Sequence, residues 1–271
     1  MRRRGEKEEI SKFTRQKKGQ ITIFVIIAIL LISGIILFFV FRTQITPQKG
    51  ESVETNINLF LSSCLNDNIQ ERIKLLAIQG GYAEPTGKDF MFNDEGVSKK
   101  IPYLCYAQES GSLCINQEPM LMEHLKNEMK DYLANDIRNC FDELTQSLDS
   151  EGYVVDATYT QENTEVDLIQ KKALIKFDAQ LALTKGDETT RHENFEVSVP
   201  TRIYELTNAV QDILNKEADS CSFGNYGFIY YIILHPQLNI ERIKTANSDV
   251  IYKVQHPVSK EEFRFAVRNC I

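Results

Sequence analysis

The sequence predicts an α+β protein in which one N-terminal transmembrane helix leads into a disulfide-stabilised ectodomain of helices packed on antiparallel sheet. Three features carry that expectation. Residues 20–41, QITIFVIIAILLISGIILFFVF, run for 22 positions without a charge. All six cysteines lie C-terminal to that run. Beyond it, the apolar spacing changes along the chain from helical to alternating.

An α-helix rises about 1.5 Å per residue, so about 20 apolar residues match a hydrocarbon core about 30 Å thick. A secretory signal has a shorter apolar core, about 7 to 15 residues, and ends in a small-residue cleavage site; this run does neither. Residues 1–19 hold eight Lys and Arg against three Glu. Positive flanks stay cytoplasmic, which places this basic tail inside, residues 20–41 across the cell membrane and the C-terminal domain outside. The tail is too short to hold an output domain, which argues against a sensor.

The first 44 residues carry a net charge of +6, so the −7 of the whole chain leaves −13 to the remainder. A domain so acidic is a poor ligand for nucleic acid. It is also repelled by anionic headgroups, so charge alone predicts that it stands off the membrane. The lipid bilayer is thus expected as a partner through the span, and nucleic acid is not expected at all.

Cys64, Cys105, Cys114, Cys140, Cys221 and Cys270 form an even set on the outer side, which suggests three disulfides. Cys105 and Cys114 flank the turn-rich YAQESGSL and are the first pair expected, across a hairpin. Cys64 and Cys140 each fall on the apolar stripe of a predicted helix, and Cys221 precedes a segment that returns to Cys270 at the chain end. Buried free thiols and a metal site are the alternatives, although no CxxC pair supports zinc.

In order along the chain, Pro47 and Gly50 break residues 42–52 into a juxtamembrane linker. Residues 53–271 form the extracytoplasmic α+β domain. It opens with a helix over residues 53–79, where Ile57, Phe60, Leu61, Cys64, Leu65, Ile69, Ile73, Leu76 and Ala77 share one side and Gly80 and Gly81 supply the stop. A turn-rich stretch leads to the Cys105/Cys114 hairpin. Residues 118–148 read as a helix with a near-heptad seam from Leu121 to Leu148.

Alternation in YVVDATYT, EVDLI, ALIKFDAQLALT and ENFEVSVP gives three or four antiparallel strands, with turns at Glu162–Asn163 and Gly186–Asp187. Residues 201–218 return to helical spacing. Residues 223–234 are strongly apolar and read as a buried helix or a core strand. LNIERIKTA, DVIYKVQ and EFRFAVRN close the chain as a meander.

Catalytic signatures are absent from the sequence. The four histidines, His124, His192, His235 and His256, share no ligand spacing, and no HExxH, GxSxG or GxGxxG occurs. GGYAEPTGKD fails as a phosphate loop: Gly81 stands one residue too far from Gly87 and Lys88, and Asp89 replaces the required Ser or Thr. No cofactor or metal is expected. A carboxylate pair brought together only by the fold leaves room for an enzyme. Tyr226, Phe228, Tyr230 and Tyr231 suit either a binding patch or core packing beside a disulfide.

The segment KKGQI at residues 17–21, followed at once by the apolar run, resembles the class III signal of archaeal prepilins, and more broadly the opening of archaeal single-pass surface proteins of unknown activity. That resemblance implies cleavage between Gly19 and Gln20, giving a type IV pilin-like subunit whose exposed helix packs with other envelope or pilus-type subunits. Two positions depart from it. Phe24 stands where many such proteins carry glutamate, and Pro47 and Gly50 interrupt the continuation of the helix. The same lysines also suit an uncleaved signal anchor.

The expected function is a membrane-anchored extracytoplasmic structural or binding protein, with the pilin-like subunit as its processed form. The alternative is an anchored hydrolase with a fold-assembled acid or histidine site.

Overall fold

The computed structural model describes Ile26, residues 28–33, Ile35, and residues 53–269 except 95–96, 110, 161–162, 221–222, 224–226 and 246–248. The chain divides into two units, Met1–Val53 and Glu54–Ile271. In the first, Ile26, residues 28–33 and Ile35 are helical and exposed. No described helix is long and apolar enough to cross a membrane. The expected span falls largely outside the described residues, as do Gly19, Gln20, Cys221 and Cys270.

The second unit is α+β. Helix α1 (Val53–Ile78) precedes strands β1 (Asp89–Asp94), β2 (Val97–Tyr106) and β3 (Ile115–Asn116). Helix α2 (Leu121–Ser150) leads into β4 (Val154–Tyr159), β5 (Glu165–Ile169), β6 (Lys172–Lys185) and β7 (Glu188–Pro200). Helices α3 (Ile203–Asp219) and α4 (Phe228–Leu234) precede β8 (Asn239–Lys244), β9 (Val250–Gln255) and β10 (Glu262–Arg268).

Helices α1 and α2 are cross-linked in an antiparallel sense, Cys64 to Cys140 and Arg72 to Asp136. Every seam residue expected on α2 is buried: Leu121, Leu125, Met129, Leu133, Ile137, Cys140, Phe141, Leu144 and Leu148. The Cys64–Cys140 disulfide joins the pair with a Cα separation of 5.9 Å, inside the range that accepts a bridge without backbone movement. Two turns further along α1, Arg72 pairs with Asp136 at 3.0 Å and lies over the Tyr132 ring. Helix α1 ends in a Schellman cap, where the Gly81 N–H donates to Leu76 O at 2.8 Å and Gly80 takes φ +68°.

The strands form two sheets. In the smaller, β7 pairs along the whole of β6, while β4 and β5 follow one another along the other edge of β6. Its inner face meets α2 through an aromatic cluster in which Phe177 stacks on Phe195 at 5.7 Å and Phe141 packs against both Phe195 and Tyr159. The larger sheet runs β1-β2-β10-β9-β8, with β3 also on β2. Helix α3 touches strands of both sheets, and the larger sheet carries a further cluster of Ile101, Ile251 and Ala266.

Three features differ from the sequence expectation. The strand set is not wholly antiparallel, because β2 and β10 pair in parallel. The stretch read as turns holds the β1–β2 hairpin, whose Lys99, Lys100 and Asp89 mask its strand character. Among the described residues of 223–234 there is neither a buried helix nor a core strand. Helix α4 is seven residues long, and Tyr231 is its one buried residue.

Candidate functional site

Both described cysteine pairs are bridged. Cys105–Cys114 closes the β2–β3 hairpin as the spacing predicts, and Cys64–Cys140 ties α1 to α2. No described group of three or more His, Cys, Asp or Glu is placed to hold a metal ion.

The histidines are distributed over separate elements. His124 on α2 packs at a tilt against Tyr82, with ring centroids 4.4 Å apart, and its Nδ1 lies 3.9 Å from Glu118, whose carboxylate accepts a hydrogen bond from the Tyr82 hydroxyl. His192 lies on β7. His235 caps α4. His256 opens the β9–β10 turn, where its Nδ1 accepts the Ser259 N–H at 3.1 Å.

Two carboxylates are candidates for an acid–base site, one lining a cavity and one buried. A cleft of about 890 Å³ between α1, the start of α3 and the β9–β10 turn holds Glu261. That carboxylate accepts from the Thr201 hydroxyl and from the Arg202 N–H at 2.9 and 3.1 Å, so it caps α3. Glu217, 3% exposed, is buried in the last turn of α3, at the opposite end of that helix from the cleft. Tyr252 donates to it, and Asn269 Nδ2 donates to its carboxylate at 3.0 Å and its backbone oxygen at 2.6 Å. Arg242 in turn donates to the Tyr252 oxygen at 3.1 Å. Burial, reinforced by Glu217, holds the Tyr252 hydroxyl far above the ordinary tyrosine range. Both carboxylates are engaged by structural donors, which leaves neither poised to take a proton from a substrate.

The aromatic cluster noted in the sequence is divided by the structure. Tyr231 turns inward, where its hydroxyl donates to Ala209 O at 3.3 Å and its ring meets Phe223 edge-on and His235 at 4.2 Å. Phe228 packs edge-on against the Tyr252 ring at 6.0 Å. These contacts fix α4 to α3 and β9. Tyr226 lies outside the described residues.

On its other side α4 presents Ile229, Tyr230, Ile233 and Leu234, which are 60, 65, 68 and 55% exposed. A shallow cleft of about 330 Å³, lined by Asp212, Lys216, Phe223 and Gly227, runs beside Tyr230 and Leu234. Isolated exposed apolar residues are ordinary, but these four form one contiguous helical stripe. The sequence offers little warning of it, because FIYYIIL has no charged or amide side chain to show which side faces out.

Neither the family models, nor the curated proteins, nor the solved structures offer a match to this chain.

Proposed function

We propose that this chain is a single-pass, membrane-anchored structural or binding protein whose domain works outside the cytoplasm and makes its contacts through the exposed face of α4. The observation that carries the reading is the Cys64–Cys140 bridge, which locks the two longest helices of the domain. Such bridges persist where thiols are not kept reduced. The uncharged run at residues 20–41 supplies the route to that compartment. The hydrolase alternative has less support, because Glu217 and Glu261 are each held by structural hydrogen bonds.

Intact mass and N-terminal sequencing of the protein purified from its native membrane test the reading. A chain starting at Gln20 supports the pilin-like form, and one starting at Met1 or Arg2 supports a permanent anchor. Recovery in the soluble fraction with all cysteines alkylatable before reduction would overturn both.

A further inference from the structure

We propose that the exposed face of α4 seats in the lipid–water interface of the membrane that anchors the chain, so the domain lies against the bilayer at a second point. The proposal rests on the anchored reading above. Its first ground is chemical. Ile229, Tyr230, Ile233 and Leu234 recur at the i, i+1, i+4, i+5 positions of one helix side, and no charge occurs from Phe228 to Leu234. Aliphatic side chains flanking a tyrosine suit the headgroup boundary, where an apolar body sinks and a hydroxyl stays wet.

The second ground is size. Among the described residues the face offers four exposed apolar side chains, which fall well short of the roughly 800 Å² per partner that a stable protein interface takes. A lipid surface asks for no such area when another attachment is already made. The third ground is tether length. Residues 42–52 extend at most about 40 Å. A domain the size of residues 54–271 has a radius of gyration of about 17 Å, so its width is comparable with that reach. The face therefore stays within reach of the bilayer, and a weak intrinsic affinity suffices at that effective concentration.

Charge narrows the lipid. The −13 carried beyond residue 44 opposes anionic headgroups, which is why net charge alone predicts a domain standing off the membrane. The interface that fits this face is therefore a neutral one, and the contact should be insensitive to salt.

The chain has no tryptophan, so Tyr230→Trp creates a sole reporter on the face. Val258→Trp, at a site 82% exposed in the β9–β10 turn by the N-terminal end of α3, is the control. Each full-length variant is reconstituted into phosphatidylcholine vesicles, and flotation is measured first. The fluorescence is then quenched by lipids brominated in the acyl chains and, separately, by aqueous acrylamide. The expected result is bromolipid quenching of the Tyr230→Trp variant at least about twofold greater than that of the Val258→Trp variant, reduced when Ile233→Asp is added.

Flotation with the indole at position 230 open to acrylamide and untouched by bromolipid would overturn the proposal while leaving the anchor intact. Shielding of that indole from both quenchers would overturn it in favour of a protein on this face. Failure to float would remove the anchored reading and this inference with it.

Discussion

Asn269, next to the last cysteine in the chain, reaches back 52 positions to Glu217 and donates to both its carboxylate and its main-chain oxygen. The same side chain accepts the Cys114 N–H at 2.9 Å. One amide thus ties α3, the end of β10 and the disulfide hairpin together. Asn269→Ala would leave a buried carboxylate oxygen and a main-chain N–H unpaired, at a cost of about 2 to 4 kcal/mol. Urea unfolding reads that difference directly, and a loss below about 0.5 kcal/mol would show that water replaces the amide.

Tyr252 gives the network a pH signature. Its folded hydroxyl titrates far above the ordinary tyrosine value of about 10, first because of burial and then because of Glu217. Below about pH 10 both states keep the proton, so the stabilisation is fully present. Above it the unfolded chain releases the proton and the folded chain does not, so stability falls by up to about 1.4 kcal/mol per pH unit. Tyr252→Phe should be less stable than the parent at about pH 8 and flatter between about pH 10 and 11. A parent profile no steeper than the variant's would refute the assignment.

The two bridges close loops of very different size, with sequence separations of 76 and 9. On the chain-entropy account, replacing Cys64 and Cys140 by alanine costs about 4.5 kcal/mol and replacing Cys105 and Cys114 about 2.6 kcal/mol. Thermal unfolding of the two double variants should rank them in that order. The expectation for Cys221 and Cys270, which lie outside the described residues, is a third bridge. Reduction should then add six hydrogens to the intact mass, and four would mean that those two thiols are free.

Gly80 is required by both conformation and space. It takes φ +68°, and a Cβ there would lie 2.5 Å from the Pro102 Cγ. Gly80→Ala is expected to cost about 1 to 3 kcal/mol, measured by urea midpoint. Gly111→Ala, also at positive φ but with open space around it, should cost about 1 kcal/mol.

How much of this was legible in the sequence depends on how far a residue's environment is set by its neighbours in the chain. The α2 seam is readable because a helical stripe is a local pattern, and all its expected positions are buried. The Cys105–Cys114 hairpin is readable for the same reason. The Gly186–Asp187 turn likewise falls between β6 and β7, as the dipeptide suggests. The β2–β10 pairing is not readable, since a parallel ladder between distant segments leaves no mark in either strand alone. Glu261 and Glu217 look like any acids of an acidic chain, and only the fold shows one capping α3 and the other buried. The exposed face of α4 is hidden by its uniform composition, and the sense of Tyr231 and Tyr230, one in and one out, is set by α3.

The parallel pairing of β2 with β10 also imposes an order on how the molecule is made. Tyr103 to Tyr106 find their partners only at Ala266 to Arg268, almost at the end of the chain. At about 5 to 20 residues per second, β2 waits on the order of 10 to 30 s for the strand that covers it. Through that interval the inner edge of β2 offers unpaired N–H and C=O groups to any passing strand. A chain cut short before residue 262 never closes that edge, so truncated products should assemble with one another rather than simply unfold.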